Sequence, residues 1–253
     1  MEIEPKEVSI EDLKDSFKEA FNFIRTHLFV YFIMWLLLNL NVYLSTAEPY
    51  WLLVSPLFFG VLFVGVFEMT CTLFVGYNGS LYQKMVISLK AAWRTLLLLV
   101  LNHPFIMGFY FLIFYSILLR AVLTPNDIND YTFLALKSLS WTGLFITGFS
   151  NLYSVLRLGC ISMFLSNPKD YALINILIIK ARQKSLNVYF KSSMVGFMIL
   201  MLAMVTREVF SSFLLMYTIV VGFFFFQKVF EPPMLKKAQE KEIENTNAVP
   251  EAT

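Results

Sequence analysis

The sequence predicts an all-α integral membrane protein with six transmembrane helices and both termini in the cytoplasm. Three observations predict this fold class. Hydrophobic residues make up 58% of the 253 residues and charged residues only 15%, a composition unlike that of soluble globular domains. Six apolar runs approach the roughly 20 residues that cross about 30 Å of hydrocarbon. Lysine and arginine are concentrated in alternate connections between these runs.

The six apolar runs define the predicted spans. They cover residues 27–44, 51–76, 96–119, 139–165, 188–205 and 209–226. The fifth run is the least regular, because it is continuously apolar only from Met194 and needs Lys191 to extend its ammonium group to the interface. Without the fifth span the number of crossings would be odd.

The orientation follows from the basic residues of the short connections, which are retained in the cytoplasm. One set of connections, together with both termini, carries Lys14, Lys18, Arg25, Lys84, Lys90, Arg94, Lys169, Lys180, Arg182, Lys184, Lys191, Lys228, Lys236, Lys237 and Lys241. The other three connections carry a much lighter basic load and include Glu48 and the Arg207-Glu208 turn. Both termini are therefore expected on the cytoplasmic side.

The basic segments before spans one, three and five have apolar residues at helical spacing. The first opens with Ser9 and Asp12, which fit a capping box, and continues into an amphipathic stretch. The second follows Leu81 and the third follows Tyr171. We expect each to form an interfacial helix that lies flat on the membrane before its transmembrane hairpin.

Three units of an interfacial helix plus a hairpin follow from this order. The predicted boundaries are 1–77, 78–166 and 167–234, within one membrane domain, followed by a tail of residues 235–253. The tail is rich in Lys, Glu, Asn and Ala and is expected to be disordered. Short sequence echoes between units suggest an internal repeat, and common ancestry of the units is open.

Two apolar spans carry an ionisable residue three positions before a cysteine. The segments are Glu68-Met-Thr-Cys71 and Arg157-Leu-Gly-Cys160, with opposite charges and a separation of 89 residues. If Glu68 and Arg157 lie at one depth, they can neutralise each other, whereas either charge alone would be costly to bury. The pair is either a structural contact between hairpins or an ion-responsive site in which Glu68 titrates and Arg157 binds an anion.

Polar residues within the first and fourth spans form a second candidate feature. Asn39, Asn151 and Ser154 lie in otherwise apolar stretches and are expected to face protein rather than lipid. They are explained either by hydrogen bonds between helices or by a polar pathway among spans one, two and four.

Catalytic, metal and nucleic-acid functions have no sequence signature here. The chain lacks a phosphate-binding loop, an HExxH pair and a GxSxG turn, so we expect no enzyme and no catalytic residues. His27 and His103 have no ligands at metal-binding spacing, and neither a metal nor a cofactor is expected. The net charge of +2 does not favour nucleic acid.

Two segments carry a resemblance to known families. In residues 60–104 a span runs into Asn78-Gly-Ser and then Ser88-Leu-Lys90-Ala-Ala-Trp93, and residues 167–190 are the second segment. The order of span, amphipathic basic helix, hairpin, amphipathic helix and hairpin covers most of the chain. It resembles the YesL-like and YciC-like bacterial inner-membrane families, which have no established biochemical activity. The resemblance implies a multi-pass protein of the bacterial cytoplasmic membrane, and no functional residue is carried over from it.

The expected function is therefore non-enzymatic. We expect an accessory, assembly or scaffold subunit whose partners are membrane lipids and a partner protein or a second copy of the chain. The alternative is a small transporter or permease component that uses Glu68 and Arg157.

Overall fold

The structure is a computed structural model that describes residues 4–47, 51–102, 155–164, 171–205 and 208–231. Within these ranges all regular structure is helical, so an all-α fold is confirmed for the described residues. The helices in chain order are α1 (Ile10–Thr26), α2 (Leu28–Ala47), α3 (Trp51–Phe74), α4 (Leu81–Asn102), α5 (Val155–Phe164), α6 (Tyr171–Lys184), α7 (Leu186–Val205) and α8 (Glu208–Phe230).

Two of the described helices are long and apolar enough to cross a membrane. They are α3 over Leu57–Phe74 and α8 over Ser212–Phe230. Helices α1 and α2 add a third candidate if they are counted as one broken span, although they meet at 94°. The predicted spans at 96–119 and 139–165 lie mostly outside the described residues, so six crossings and the orientation stay predictions.

Helix α1 begins at the predicted capping box, which is confirmed. The Asp12 backbone N–H donates to the Ser9 hydroxyl at 3.1 Å, and the Ser9 backbone N–H donates to the Asp12 carboxylate at 2.7 Å. Two of the N–H groups left unpaired at a helix start are thereby satisfied. The cap fixes the point at which the chain turns into α1.

The apolar face of α1 packs against protein. Leu13, Ala20 and Ile24 are buried, and the Tyr217 hydroxyl of α8 donates to the Phe17 carbonyl at 2.9 Å. The sequence predicted that this face rests on the membrane. Instead α1 lies across α8, because α8 offers an aromatic surface that covers the same apolar side chains.

Helices α3 and α4 form an antiparallel hairpin. Gly76 ends α3 with a φ of +69°, and the next N–H, from Tyr77, donates back to the Thr72 carbonyl at 3.3 Å. This arrangement is a Schellman cap, whose left-handed residue favours glycine. Along the hairpin, Ser88 of α4 lies beside Thr72, and Leu96 lies beside Gly60. Helix α4 therefore runs antiparallel to α3 and beside it. The sequence predicted that the segment after Leu81 lies flat on the membrane.

Helix α8 is the centre of the described bundle. Residues 218–226 are all buried, and this stretch includes four consecutive phenylalanines. Phe223 meets Phe67 and Phe74 of α3, with ring centroids 5.6 and 5.5 Å apart, while Phe224 meets Phe23 of α1 at 5.4 Å. Helix α8 also packs along α7 and α2. A helix that is apolar on every side is expected in such a central position.

The segment before α1 joins the ends of distant helices. The Lys6 backbone N–H donates to the Val229 carbonyl at 2.7 Å, and the Lys6 ammonium pairs with Glu231. The Val8 backbone N–H donates to the Ser185 hydroxyl between α6 and α7 at 2.9 Å. Residues 6 and 231 therefore lie at the same end of the bundle.

Helices α5 and α8 approach each other through glycines. A β-carbon at Gly222 would lie 2.3 Å from a methyl carbon of Val155 and 2.6 Å from its Cβ. A β-carbon at Gly159 would lie 2.7 Å from the ring of Phe226. Since real β-carbons do not come so close to other atoms, each helix depends on a glycine of its own to accept a side chain of the other.

We predict that Gly222→Ala destabilises the protein by about 1–3 kcal/mol, since the added methyl group must displace Val155 or separate α5 from α8. The measurement is the melting temperature of the detergent-extracted protein. Gly60→Ala is the matched control, because its β-carbon would lie 3.3–3.4 Å from two methyl groups of Leu96. Equal melting temperatures for the two variants would contradict the close approach of α5 and α8.

Candidate functional site

Glu68 lies in α3 at the meeting point of three helices. Its side chain is only 6% exposed. The Thr95 hydroxyl of α4 donates to Oε1 of Glu68 at 3.0 Å, and the Ser162 hydroxyl of α5 forms a further hydrogen bond to the carboxylate. One carboxylate thus joins α3 to both α4 and α5. We call Glu68, Thr95 and Ser162 the carboxylate–hydroxyl cluster.

The positive charges near this cluster act at longer range. Arg94 of α4 interacts electrostatically with the Glu68 carboxylate. The ion pairs within 4 Å among the described residues join Lys6 to Glu231, Lys18 to Asp15, Lys184 to Glu4 and Lys228 to Glu19. Glu68 and Arg157 are both described, and they do not pair with each other at that distance.

Arg157 lies five residues before Ser162 on the same helix, α5. Its side chain is partly buried, and its charge acts on the neighbouring Cys160 thiol. The sequence suggested that the segment containing Arg157 lies beside Glu68, and α5 does contact Glu68. The contact is made by the hydroxyl of Ser162 and not by the guanidinium of Arg157. Residues 157 and 162 are about 7.5 Å apart along a helix axis.

Further hydroxyl groups extend the polar contacts along α3. The Thr72 and Ser88 hydroxyls are 3.1 Å apart and join α3 to α4. On the side facing α2, the Tyr31 and Thr70 hydroxyls are 2.8 Å apart. Because Thr70 donates its proton to the Val66 carbonyl, Tyr31 is the donor in that pair. These contacts fix the rotation of α3 against both neighbours.

Asn39 links the first predicted span to the last. Its amide nitrogen donates to the Ser212 hydroxyl at 2.9 Å and to the Trp35 carbonyl at 2.7 Å. Hydrogen bonds between helices thus account for Asn39. Asn151 and Ser154, the other residues of the predicted polar pathway, lie outside the described residues.

The sequence interpretation missed Thr95 and Ser162. Both are hydroxyl residues within apolar stretches, Thr95 before four leucines and Ser162 between Ile161 and Met163. A polar residue in such a stretch often faces another helix, so the signal was present in the sequence. The partner of each hydroxyl depends on how the helices are rotated and on which helices are neighbours. Neither can be read from the amino-acid sequence of one segment.

A shallow pocket lies on the surface between α1 and α8. It is lined by Phe17, Lys18, Phe21, Asn22 and Tyr217, and so lies apart from the carboxylate–hydroxyl cluster. Within the described ranges, no three His, Cys, Asp or Glu side chains form a group that could hold a metal ion.

Comparison with protein-family models, with curated proteins and with solved structures finds no match to this chain.

We predict that Thr95→Val destabilises the detergent-extracted protein by about 1–3 kcal/mol, since the buried carboxylate loses a donor that no water replaces. Thermal unfolding measures the loss. Thr218→Val is the control, because Thr218 is equally buried and its hydroxyl donates only to the Leu214 carbonyl of its own helix at 2.8 Å. A Thr95 variant as stable as the Thr218 variant would show that the cluster does not hold α3 to α4.

Proposed function

We propose that the chain is a non-enzymatic, multi-pass protein of the bacterial cytoplasmic membrane that serves as an accessory, assembly or scaffold subunit. The observation that carries the proposal is the carboxylate–hydroxyl cluster, in which the one buried glutamate of α3 is used to join α3, α4 and α5. In this proposal Glu68 joins the helices of the bundle. Its carboxylate does not take up or release protons or ions from water.

The surroundings of Glu68 support a structural role. Its neighbours Phe67 and Met69 are fully buried, and Thr70 is buried as well. A transport site needs a path by which ions or water reach the charged group. A carboxylate with two hydroxyl donors in tightly packed surroundings is hydrogen-bonded by the protein itself and needs no such path.

The outer faces of two helices support the membrane location. Exposed apolar residues recur at every fourth position on α2, at Leu28, Phe32, Leu36 and Leu40, and on α7, at Leu186, Phe190, Met194, Met198 and Leu202. In water such patches are rare on monomeric proteins, whereas lipid chains or a partner helix cover them at no cost. Membrane lipids and a partner protein or second copy are therefore the proposed partners, with both termini on the cytoplasmic side.

The second candidate function is a small transporter or permease component. The observation that favours it is Arg94 on α4, whose charge acts on the Glu68 carboxylate, together with Arg157 on α5, the helix that also carries Ser162. In that case Glu68 would exchange a proton, and an arginine would hold an anionic substrate.

A charge-swap cycle tests the structural role. We expect Glu68→Arg to destabilise the extracted protein, since it places a guanidinium where the Thr95 and Ser162 hydroxyls donate. We expect Arg157→Glu to leave that damage unrepaired in the double variant. Full recovery of the melting temperature in the double variant would instead establish Glu68 and Arg157 as an ion pair.

A flux measurement separates the two functions. The purified protein is reconstituted in liposomes containing a pH-sensitive dye, and proton uptake is followed after a pH jump. We expect wild type and Glu68→Gln to give the same rate as liposomes without protein. A wild-type rate that is faster and is lost in Glu68→Gln would overturn the accessory role in favour of transport.

A further inference from the structure

Helix α6 has apolar residues on two faces. Ile174, Leu177, Ile178 and Ala181 are buried in the core of the bundle. Leu173, Ile176 and Ile179 point outward and are 50%, 50% and 54% exposed. The protein thus uses one apolar face of this helix and leaves the other uncovered in the described structure.

The exposed surface of α6 changes from apolar to basic along the helix. The outward apolar residues all precede residue 180, whereas Lys180, Arg182 and Lys184 are exposed in the last five residues. Ile176, Lys180 and Lys184 follow one another at four-residue spacing and so share one face. The sequence of α6 contains no acidic residue. Its 14 residues extend about 21 Å, which separates the two regions clearly.

We infer that the outer face of α6 binds anionic phospholipid, with Leu173, Ile176 and Ile179 among the acyl chains and Lys180 and Lys184 at the phosphates. The inference rests on the proposed membrane location. A helix with an apolar portion next to a cationic one matches the boundary between acyl chains and anionic headgroups. The exposed face of α1 lacks this pattern, because Glu11 and Asp15 alternate there with Lys14 and Lys18.

Glu4 contacts the same cations that a lipid phosphate would contact. Its Oε1 lies 2.9 Å from the Lys184 ammonium, and Lys180 also acts on it electrostatically. The hydrogen bond and charge of Lys184 lower the pKa of the Glu4 carboxyl, which therefore stays ionised at neutral pH. Glu4 consequently competes with anionic lipid for Lys184, and removing its charge increases lipid binding.

The test uses the full-length purified protein in a neutral detergent. Phosphatidylglycerol and phosphatidylcholine with identical acyl chains are titrated separately, and bound lipid is counted by native mass spectrometry. Wild type is expected to bind phosphatidylglycerol more tightly. Lys180→Gln with Lys184→Gln is expected to weaken that binding about 25-fold, since each lysine beside an anionic lipid surface contributes roughly fivefold. Glu4→Gln is expected to strengthen it several-fold.

The matched control is Lys14→Gln with Lys18→Gln, which removes two exposed lysines from α1 and is expected to leave the affinity unchanged. Ile176→Asn is expected to weaken the binding of phosphatidylglycerol and of phosphatidylcholine to the same extent. Because every substituted side chain is exposed, melting temperatures are expected to remain at the wild-type value. Glu4→Gln tests separately whether the Glu4 charge competes with lipid for Lys184, because this change removes the charge and adds no packing contact.

Three results would overturn the inference. They are equal binding of the two lipids by wild type, wild-type affinity in the double lysine variant of α6, and a change of oligomeric mass in that variant with lipid binding intact. The last result would assign the face to a protein partner. None of these results contradicts the accessory role. Proton flux that depends on Glu68 would contradict the accessory role and would leave the inference about lipid binding unchanged.

Discussion

The burial of residues 218–226 of α8 on every side is the constraint on which the described structure depends. Lipid chains are as apolar as leucine, so helices in a membrane gain little from hiding apolar surface and depend on close packing. The rings of residues 223–226 meet α1, α3 and α5, and Gly222 admits Val155. Any shift of α8 would therefore disturb several interfaces at once, and the other helices are positioned by reference to it.

Within this apolar bundle the few polar groups decide rotation and register. Aromatic packing tolerates small rotations of a helix, whereas a buried carboxylate or hydroxyl without a partner is expensive. Glu68 fixes α3 against α4 and α5, and Asn39 fixes α2 against α8. The phenylalanines thus make ring contacts at several interfaces, and the hydrogen bonds select one arrangement of the same surfaces.

The helices themselves could be predicted from hydropathy, but their neighbours could not. The predicted runs at 51–76 and 188–205 correspond to α3 (Trp51–Phe74) and α7 (Leu186–Val205), because apolar runs bounded by polar residues mark helix ends. Hydropathy does not distinguish lipid from protein as the surroundings of a side chain. For that reason the sequence placed the apolar face of α1 on the membrane, and it gave no sign that Thr95 meets Glu68.

The buried polar contacts of this protein are stronger than the exposed ones. The buried contacts therefore stabilise the bundle, whereas the exposed ones are available for binding. Contacts such as that of Glu68 with Thr95 are shielded from water, where hydrogen bonds to charged groups contribute most. At the end where residue 6 meets residue 231, the contacts are exposed ion pairs such as Lys184 with Glu4, which solvent and salt screen. A lipid phosphate can therefore replace Glu4 beside Lys184 while the core around α8 keeps its arrangement.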